Sequence, residues 1–287
     1  MSYQTILLTG IPRSGSTLCC HLLNSYRNTL ALHEPMKFRE MHREDGIIGA
    51  CRTVSEFAFF SRRRALHDAT AITKHRQGVV PDNPVQTDDA PEGLRQEIVK
   101  GGTVALNERC SRDFHLIIKH NALFTALLPD LLDFFPCYGV IRNPLAVLAS
   151  WSTVELPVNR GHIPAGEWFC SELQRQLQQQ QSVIDRQLVI LDWFFSRFQV
   201  LPPTNIIRYE ELIASHHRLL APLSYNSAYR SSVENLVSRN TNSVYRNAPI
   251  DALFEALKNH QGCWRGFYSF SKVEALYELL TSGRDVR

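Results

Sequence analysis

"QTILLTGIPRSGSTLCCHLLNSY", residues 4–26, decides how the rest of this chain is read. The apolar run before Gly10 is short, unbroken and closed by a turn residue, the pattern of a strand buried on both faces. Beyond the glycine, Leu18, Leu22 and Leu23 return at helical spacing. Strand, glycine loop, helix is the opening order of a parallel α/β sheet. The same order recurs downstream. "FHLIIKHN" (114–121) and "CYGVIRN" (137–143) read as buried strands, each followed by a helical pattern, "ALFTALLPDLLDFF" (122–135) and "PLAVLASWSTV" (144–154). Pro144 falls at a first helical position, where its missing N–H costs nothing. "TNIIRYEELIAS" (204–215) repeats the unit once more. The expected fold is α/β: a doubly wound, mainly parallel central sheet drawn from the first 215 residues, flanked by helices, with helical additions in the C-terminal third.

Two stretches break the rhythm. Residues 74–93, "KHRQGVVPDNPVQTDDAPEG", are polar and rich in Pro, Gly and Asp, so a loop, open to motion, is expected there. Residues 167–199 read as one long helix, with Leu177, Ile184, Leu188, Leu191, Phe195 and Phe198 in steps of four and three apart from a gap at Gln181. Its seam is short, which favours packing across the sheet over a dimerising coil. The run "QLQQQQ" (176–181) carries no chemistry. With no repeat and no linker, residues 1–287 are expected to form a single domain.

Composition sets bounds. The chain has 287 residues, 44% hydrophobic and 21% charged, with a net charge of +3. That is an ordinary globular balance, too mildly basic to argue for nucleic acid, yet compatible with an anion in a local basic pocket. The seven cysteines are odd in number, and none is in C-x-x-C spacing. Cys19 and Cys20 are neighbours on an expected helix, a poor geometry for a disulfide. Reduced thiols and a cytoplasmic location follow as expectations. No apolar stretch reaches membrane-spanning length and no export-signal pattern opens the chain, so neither a span nor a leader is expected.

The loop at 10–17 has the frame of the nucleotide-binding G-x-x-x-x-G-K-[ST], but Ser16 stands where the lysine belongs. Its cation is Arg13, three residues upstream, stiffened by Pro12. Gly10 and Gly15 allow a tight turn that points N–H groups inward, and the helix start near Ser16 adds its positive end. Ser14, Ser16 and Thr17 bring hydroxyls. The loop is P-loop-like and suited to an anion other than a triphosphate.

"PRSGSTL" (12–18) resembles the 5′-phosphosulfate loop of sulfotransferases that use 3′-phosphoadenosine 5′-phosphosulfate (PAPS), in motif style the bacterial carbohydrate and tyrosylprotein branches. That family has a second signature, a strand ending in arginine and a helical serine eight residues on, which together grip the ribose 3′-phosphate. "VIRNPLAVLASW" (140–151) is similar to it, with Arg142 and Ser150. Eight residues is a little over two helical turns, so both can share a face. The planar guanidinium suits phosphate. The resemblance covers residues 5–35 and 115–215, including "IIRYEEL" (206–212), and leaves the acceptor-facing regions unmatched. Near the C-terminus only "GCWRG" (262–266) echoes the family's closing segment, making Arg265 a weak candidate there.

The resemblance implies sulfuryl transfer from PAPS as co-substrate, by in-line attack of an acceptor hydroxyl, without a metal. Arg13 and the loop donors (Ser14, Gly15, Ser16, Thr17) would stabilise the leaving phosphate, and Arg142 and Ser150 would hold the 3′-phosphate. For the general base, Glu34 in "ALHEPMKF" (31–38) lies in a register similar to branches that use glutamate. Burial is expected to lift its pKa toward neutrality. His120 is the rival, assisting or orienting. Lys119 and His120 are adjacent, so on a strand they would face opposite sides unless the strand has already ended. His33 is expected to be structural.

Two other readings stand beside this one. A P-loop kinase for a small metabolite would need the missing lysine and an acidic Mg²⁺ partner at a strand end. A non-catalytic anion- or glycan-binding module could keep the scaffold without a base. The acceptor, whether small molecule, glycan or lipid, is not spelled out; Trp151, Trp168, Trp193 and Trp264 could stack on a sugar, though core positions suit them better. A homodimer is compatible with the sequence, which leaves the oligomeric state open.

Overall fold

The computed structural model describes residues 4–41, 46–86, 93–225 and 236–282. Seven strands lie within them: β1 (Thr5–Gly10), β2 (Thr29–His33), β3 (Thr70–His75), β4 (Lys100–Ala105), β5 (His115–Lys119), β6 (Cys137–Ile141) and β7 (Ile206–Arg208). Five of them make one sheet in the order β2-β5-β1-β6-β7, every neighbouring pair parallel. The chain leaves β1 for the β2 edge, returns beside β1 as β5, and continues on the other side as β6 and β7. The order therefore reverses at β1, where an open α/β sheet offers a crevice beyond its strand ends.

Strand side chains alternate between two buried faces, as expected for a sheet covered on both sides. Ile6, Leu8, Ile117 and Val140 pack with Cys19 and Leu23 of α1 (Ser16–Leu23). Leu7, Leu116, Ile118 and Ile141 face the larger cluster. That side is covered by α2 (Gly46–His67), α3 (Asn121–Ala126), α4 (Leu128–Leu131), α5 (Pro144–Trp151) and five of the helices that follow. All seven cysteines are free.

The single helix expected over 167–199 is three: α6 (Pro164–Phe169), α7 (Ser171–Gln179) and α8 (Val183–Phe198). Cys170 is extended (φ −129°, ψ 92°), as is Gln180 (φ −86°, ψ 133°). Ser182 then starts a new helix, its Oγ accepting from the Asp185 N–H at 3.0 Å. The apolar seam is nonetheless buried inside this chain, Leu177, Leu188, Leu191, Phe195 and Phe198 all lying in the larger cluster. The loop expected over 74–93 also needs correction. Lys74 and His75 close β3, which pairs antiparallel with β4, and Val85 bridges to Glu97. Residues 87–92 of that stretch lie outside the described residues. The chain ends with α9 (Tyr209–Ala214), α10 (Ile250–Asn259) and α11 (Phe270–Thr281), the helical additions expected of the C-terminal third.

The turn after β1 is held from three directions. The Ile11 N–H donates to the Val140 carbonyl at 3.1 Å, the Ser14 hydroxyl donates to the same carbonyl at 2.9 Å, and the Trp151 indole donates to the Pro12 carbonyl at 2.8 Å. Gly15 has φ 94°, and a Cβ there would lie 2.7 Å from Cδ2 of Tyr209. Gly15→Ala is therefore expected to destabilise the protein by about 1–3 kcal/mol, read as a lower urea midpoint; an unchanged midpoint would show that the loop is free to relax.

Candidate active site

The carboxyl ends of all five parallel strands deliver side chains to one cavity of about 610 Å³. Behind β1 stand Arg13, Gly15, Ser16 and Thr17; behind β2, Glu34; at the end of β5, Lys119 and His120; behind β6, Arg142; behind β7, Tyr209. β5 ends at Lys119, and His120 is the extended residue before α3 (φ −149°), so both neighbours line the cavity.

A second cavity of about 250 Å³ adjoins the first and is lined by Arg13, Asn83, Arg95, Arg142, Arg239, Asn242 and Tyr245. Among the described residues its wall has four arginines and no carboxylate. Arg13, Asn83, Arg142 and Arg239 belong to both cavities, so Arg13 stands at the junction. Its Nε donates to Ser150 Oγ at 3.2 Å and its Nη1 to Asn83 Oδ1 at 3.0 Å. Arg142 braces the same point, donating to the Arg13 carbonyl (3.0 Å), Asn240 Oδ1 (2.7 Å), the Arg239 carbonyl (2.7 Å) and the Tyr245 hydroxyl (3.3 Å). Two groups register the positive potential. Burial and the neighbouring Arg95, Arg142 and Arg239 push Arg13 down to about 10, which still leaves it cationic at neutral pH. Burial would raise the Tyr245 phenol, but Arg142, Ser150 and Arg13 outweigh it and lower its pKa.

The loop hydroxyls divide. Ser14 faces the Val140 carbonyl and Ser16 donates to Asn121 Oδ1 at 3.0 Å, which leaves Thr17 facing the cavity with neither duty. No side chain among the described residues caps α1, whose first residues, Ser16, Thr17 and Leu18, line the same cavity. Ser150 is fully buried and lines neither cavity. Its hydroxyl acts through Arg13. Arg13 (φ 71°) and Glu34 (φ 44°) both hold left-handed backbone without being glycine, a strain of about 1–3 kcal/mol each that is kept where surrounding contacts over-determine it.

Glu34 is ion-paired twice. Oε1 meets Lys119 Nζ at 2.7 Å and Oε2 meets Lys74 Nζ at 3.2 Å, while Lys74 also reaches Glu97 at 2.9 Å. The expected lift of the Glu34 pKa is overturned. Burial does push it up, but Lys119, His33 and Lys74 pull harder and hold it well below the usual carboxylate range. Lys119 is 1% exposed, and its ammonium also reaches His33 Nδ1 at 3.5 Å. Burial and Lys119 hold His33 well below the usual imidazole range, consistent with its expected structural place.

His120 is different. Its Nε2 is 2.9 Å from the Met36 carbonyl, an acceptor, so Nε2 carries the proton. Burial lowers the pKa of the ring more than Glu34 raises it, leaving a neutral imidazole. Nδ1 is then a buried lone pair with no partner.

Asn83, Arg95, Arg239 and Tyr245 were not found by sequence reasoning; they come from segments outside the strands and α-helices. Arg265 lies elsewhere. It donates to the His260 and Lys258 carbonyls at 3.0 and 2.9 Å and packs on Trp264, in the capping role of a basic residue behind α10. Among the described residues, no helix is long and apolar enough to cross a membrane. No protein-family model matches this chain, and no curated protein matches it. The sulfotransferase resemblance therefore stands on its two motifs and on where they meet.

Glu34→Gln leaves the Lys119 ammonium buried without its carboxylate, so it should cost about 3–5 kcal/mol at neutral pH. Because the native Glu34 pKa is depressed, its contribution is present above the unfolded carboxylate value and fades as pH falls below it toward the native value. Urea titrations of wild type and Glu34→Gln should converge from pH 7 toward pH 4 and below. A gap under about 1 kcal/mol at pH 7 would show that the pair is not desolvated.

Proposed function

We propose that the protein is a PAPS-dependent sulfotransferase. The observation that carries this reading is the meeting of two distant motifs on one electropositive site: Arg142 Nη1 donates to the Arg13 carbonyl and Arg13 Nε donates to Ser150, beside a pocket walled by four arginines. The donor set fits a molecule with two separate anionic groups. Arg142, Arg239 and Arg95 would hold a terminal phosphate in the smaller cavity. Arg13, Thr17 and the open N–H groups of α1 would hold a phosphosulfate in the larger one.

When bound, PAPS supplies a sulfur that accepts the new S–O bond while its bridging S–O bond breaks and leaves an electron pair on the 5′-phosphate. The protein must neutralise that charge and take one proton. Arg13 stays protonated and serves the first need. For the second, the geometry favours His120 over Glu34. His120 lines the cavity as a neutral imidazole whose buried Nδ1 has no partner, whereas Glu34 is committed to two lysines that weaken it as a base. A proton arriving on His120 gains from the nearby Glu34 charge, which raises the ring's pKa. Glu34 is then a positioning residue, fixing Lys119 beside the reacting groups.

Calorimetry with adenosine 3′,5′-bisphosphate tests the donor site. Binding is expected, with ADP and magnesium far weaker, and Arg142→Ala should lose about 30-fold or more. Preference for ADP with magnesium would replace this reading with a kinase. The base is tested by the pH dependence of kcat/KM. If His120 takes the proton, the rate falls with acidification through a pKa below the usual imidazole value, and His120→Gln removes both rate and limb. A rate that holds flat down to the carboxylate range, and survives His120→Gln, returns the role to Glu34.

A further inference from the structure

The larger cavity has a second wall of a different character. Residues 156–165 run past it, and only Leu156, Pro157, Val158, Ile163, Pro164 and Ala165 of that segment line it. None of the six has a hydrogen-bonding side chain. The polar residues between them do not line the cavity, and Asn159 donates inward to the Trp151 carbonyl at 3.0 Å.

The backbone of that wall is also spoken for. The Leu156 carbonyl accepts from Asn159 N–H (2.9 Å), the Pro157 carbonyl from His162 N–H (3.0 Å), and the Val158 carbonyl from the Gln187 side chain (2.9 Å). The Ile163 N–H donates to Glu167 Oε1 at 2.6 Å and the Ile163 carbonyl accepts from Glu167 N–H at 3.0 Å. Pro157 and Pro164 have no N–H to offer. The side chains therefore present hydrocarbon, and five of the wall's backbone groups are already bonded. Met36 and Phe38 add to it from the β2 side, the Phe38 ring braced edge-on by Trp168 at 5.9 Å. None of the four tryptophans lines the cavity, so no indole platform for a sugar is present.

We infer that the acceptor is a single hydroxyl on an apolar hydrocarbon body, an aryl or alicyclic alcohol, and not a sugar. The inference rests on the sulfotransferase reading and extends it to the other substrate. His120, Glu34 and Lys119 gather at the strand ends, enough to receive one hydroxyl while the body lies along residues 156–165. The further charged side chains Lys37, Arg39, Glu40, Lys74 and Glu97 come from the turn after β2, from β3 and from the segment before β4, none of them from that wall. A sugar laid there would bury hydroxyls against groups that cannot bond them, each unmatched one lowering affinity about tenfold. An apolar body loses nothing and gains by leaving water.

The test is titration of 2-naphthol and of trehalose into protein saturated with adenosine 3′,5′-bisphosphate. 2-Naphthol is expected to bind and trehalose to bind at least about 100-fold more weakly. Ile163→Asn should weaken 2-naphthol about tenfold with the bisphosphate affinity unchanged. Should that buried variant fail to fold, Phe38→Ala, at a half-buried position on a short turn, is read for the same loss. Absence of 2-naphthol binding, preference for trehalose, or 2-naphthol affinity unchanged in the variants overturns the inference. Wall-dependent 2-naphthol binding in a protein that ignores the bisphosphate upholds the apolar site and removes the donor reading, so the two failures are told apart.

Discussion

Lys119 carries its ammonium to the inner end of β5, where almost no water remains, and a buried cation of that kind must be met by a carboxylate. The parallel register settles which one. β2 lies beside β5 with His33 opposite Lys119, so the next residue, Glu34, arrives at the ammonium. To turn there it adopts a left-handed backbone, its own N–H donating to the Lys119 carbonyl at 2.8 Å. Lys74 at the end of β3 then takes the other carboxylate oxygen and passes the network on to Glu97. One desolvated charge thus ties the edge of the main sheet to the separate β3–β4 pair, and the cavity takes its floor from that tie.

Arg13 performs the corresponding service on the opposite side. Its side chain divides the two cavities, while its carbonyl receives Arg142 and its Nε engages Ser150. Four arginines around a small space repel one another, and Asp82 pairs with Arg239 at 2.7 Å. Clustered cations of this kind raise the local positive potential, the condition under which an anion would be favoured there. Ser150, fully buried and lining neither cavity, accepts from Arg13 Nε.

The parts of this structure that sequence made legible are those governed by local pattern. β1, β5, β6 and β7 are unbroken apolar runs flanked by turns, and their strand-end residues, Arg13, Lys119, His120 and Arg142, were found because a parallel sheet presents its chemistry there. β3 and β4 were not. "TAITKH" and "KGGTVA" are short and polar or glycine-bearing, and they pair across 24 intervening residues, a long-range fact no window contains. The three-helix course of 164–198 was hidden because apolar spacing carries on across extended residues at 170 and 180; Ser182, three residues before Asp185, was the readable capping signal. At the site, the direction of the Glu34 pKa depended on Lys119, which is 85 residues distant in sequence and became a neighbour only through strand register. Ser14, one of three hydroxyls in the loop, turned out to fasten the loop to β6. Arg95, Arg239 and Tyr245 come from segments with no periodicity at all.

The ion-pair network at the cavity floor holds two lysines and two glutamates. It is therefore neutral as a whole while strongly polar within. The arginine pocket next to it is not neutral. A compensated cluster and an excess of arginines thus lie side by side in one site. On the proposed function, that imbalance would orient a molecule with one anionic end before contact, its charged end toward Arg13 and its uncharged remainder toward Lys119 and His120.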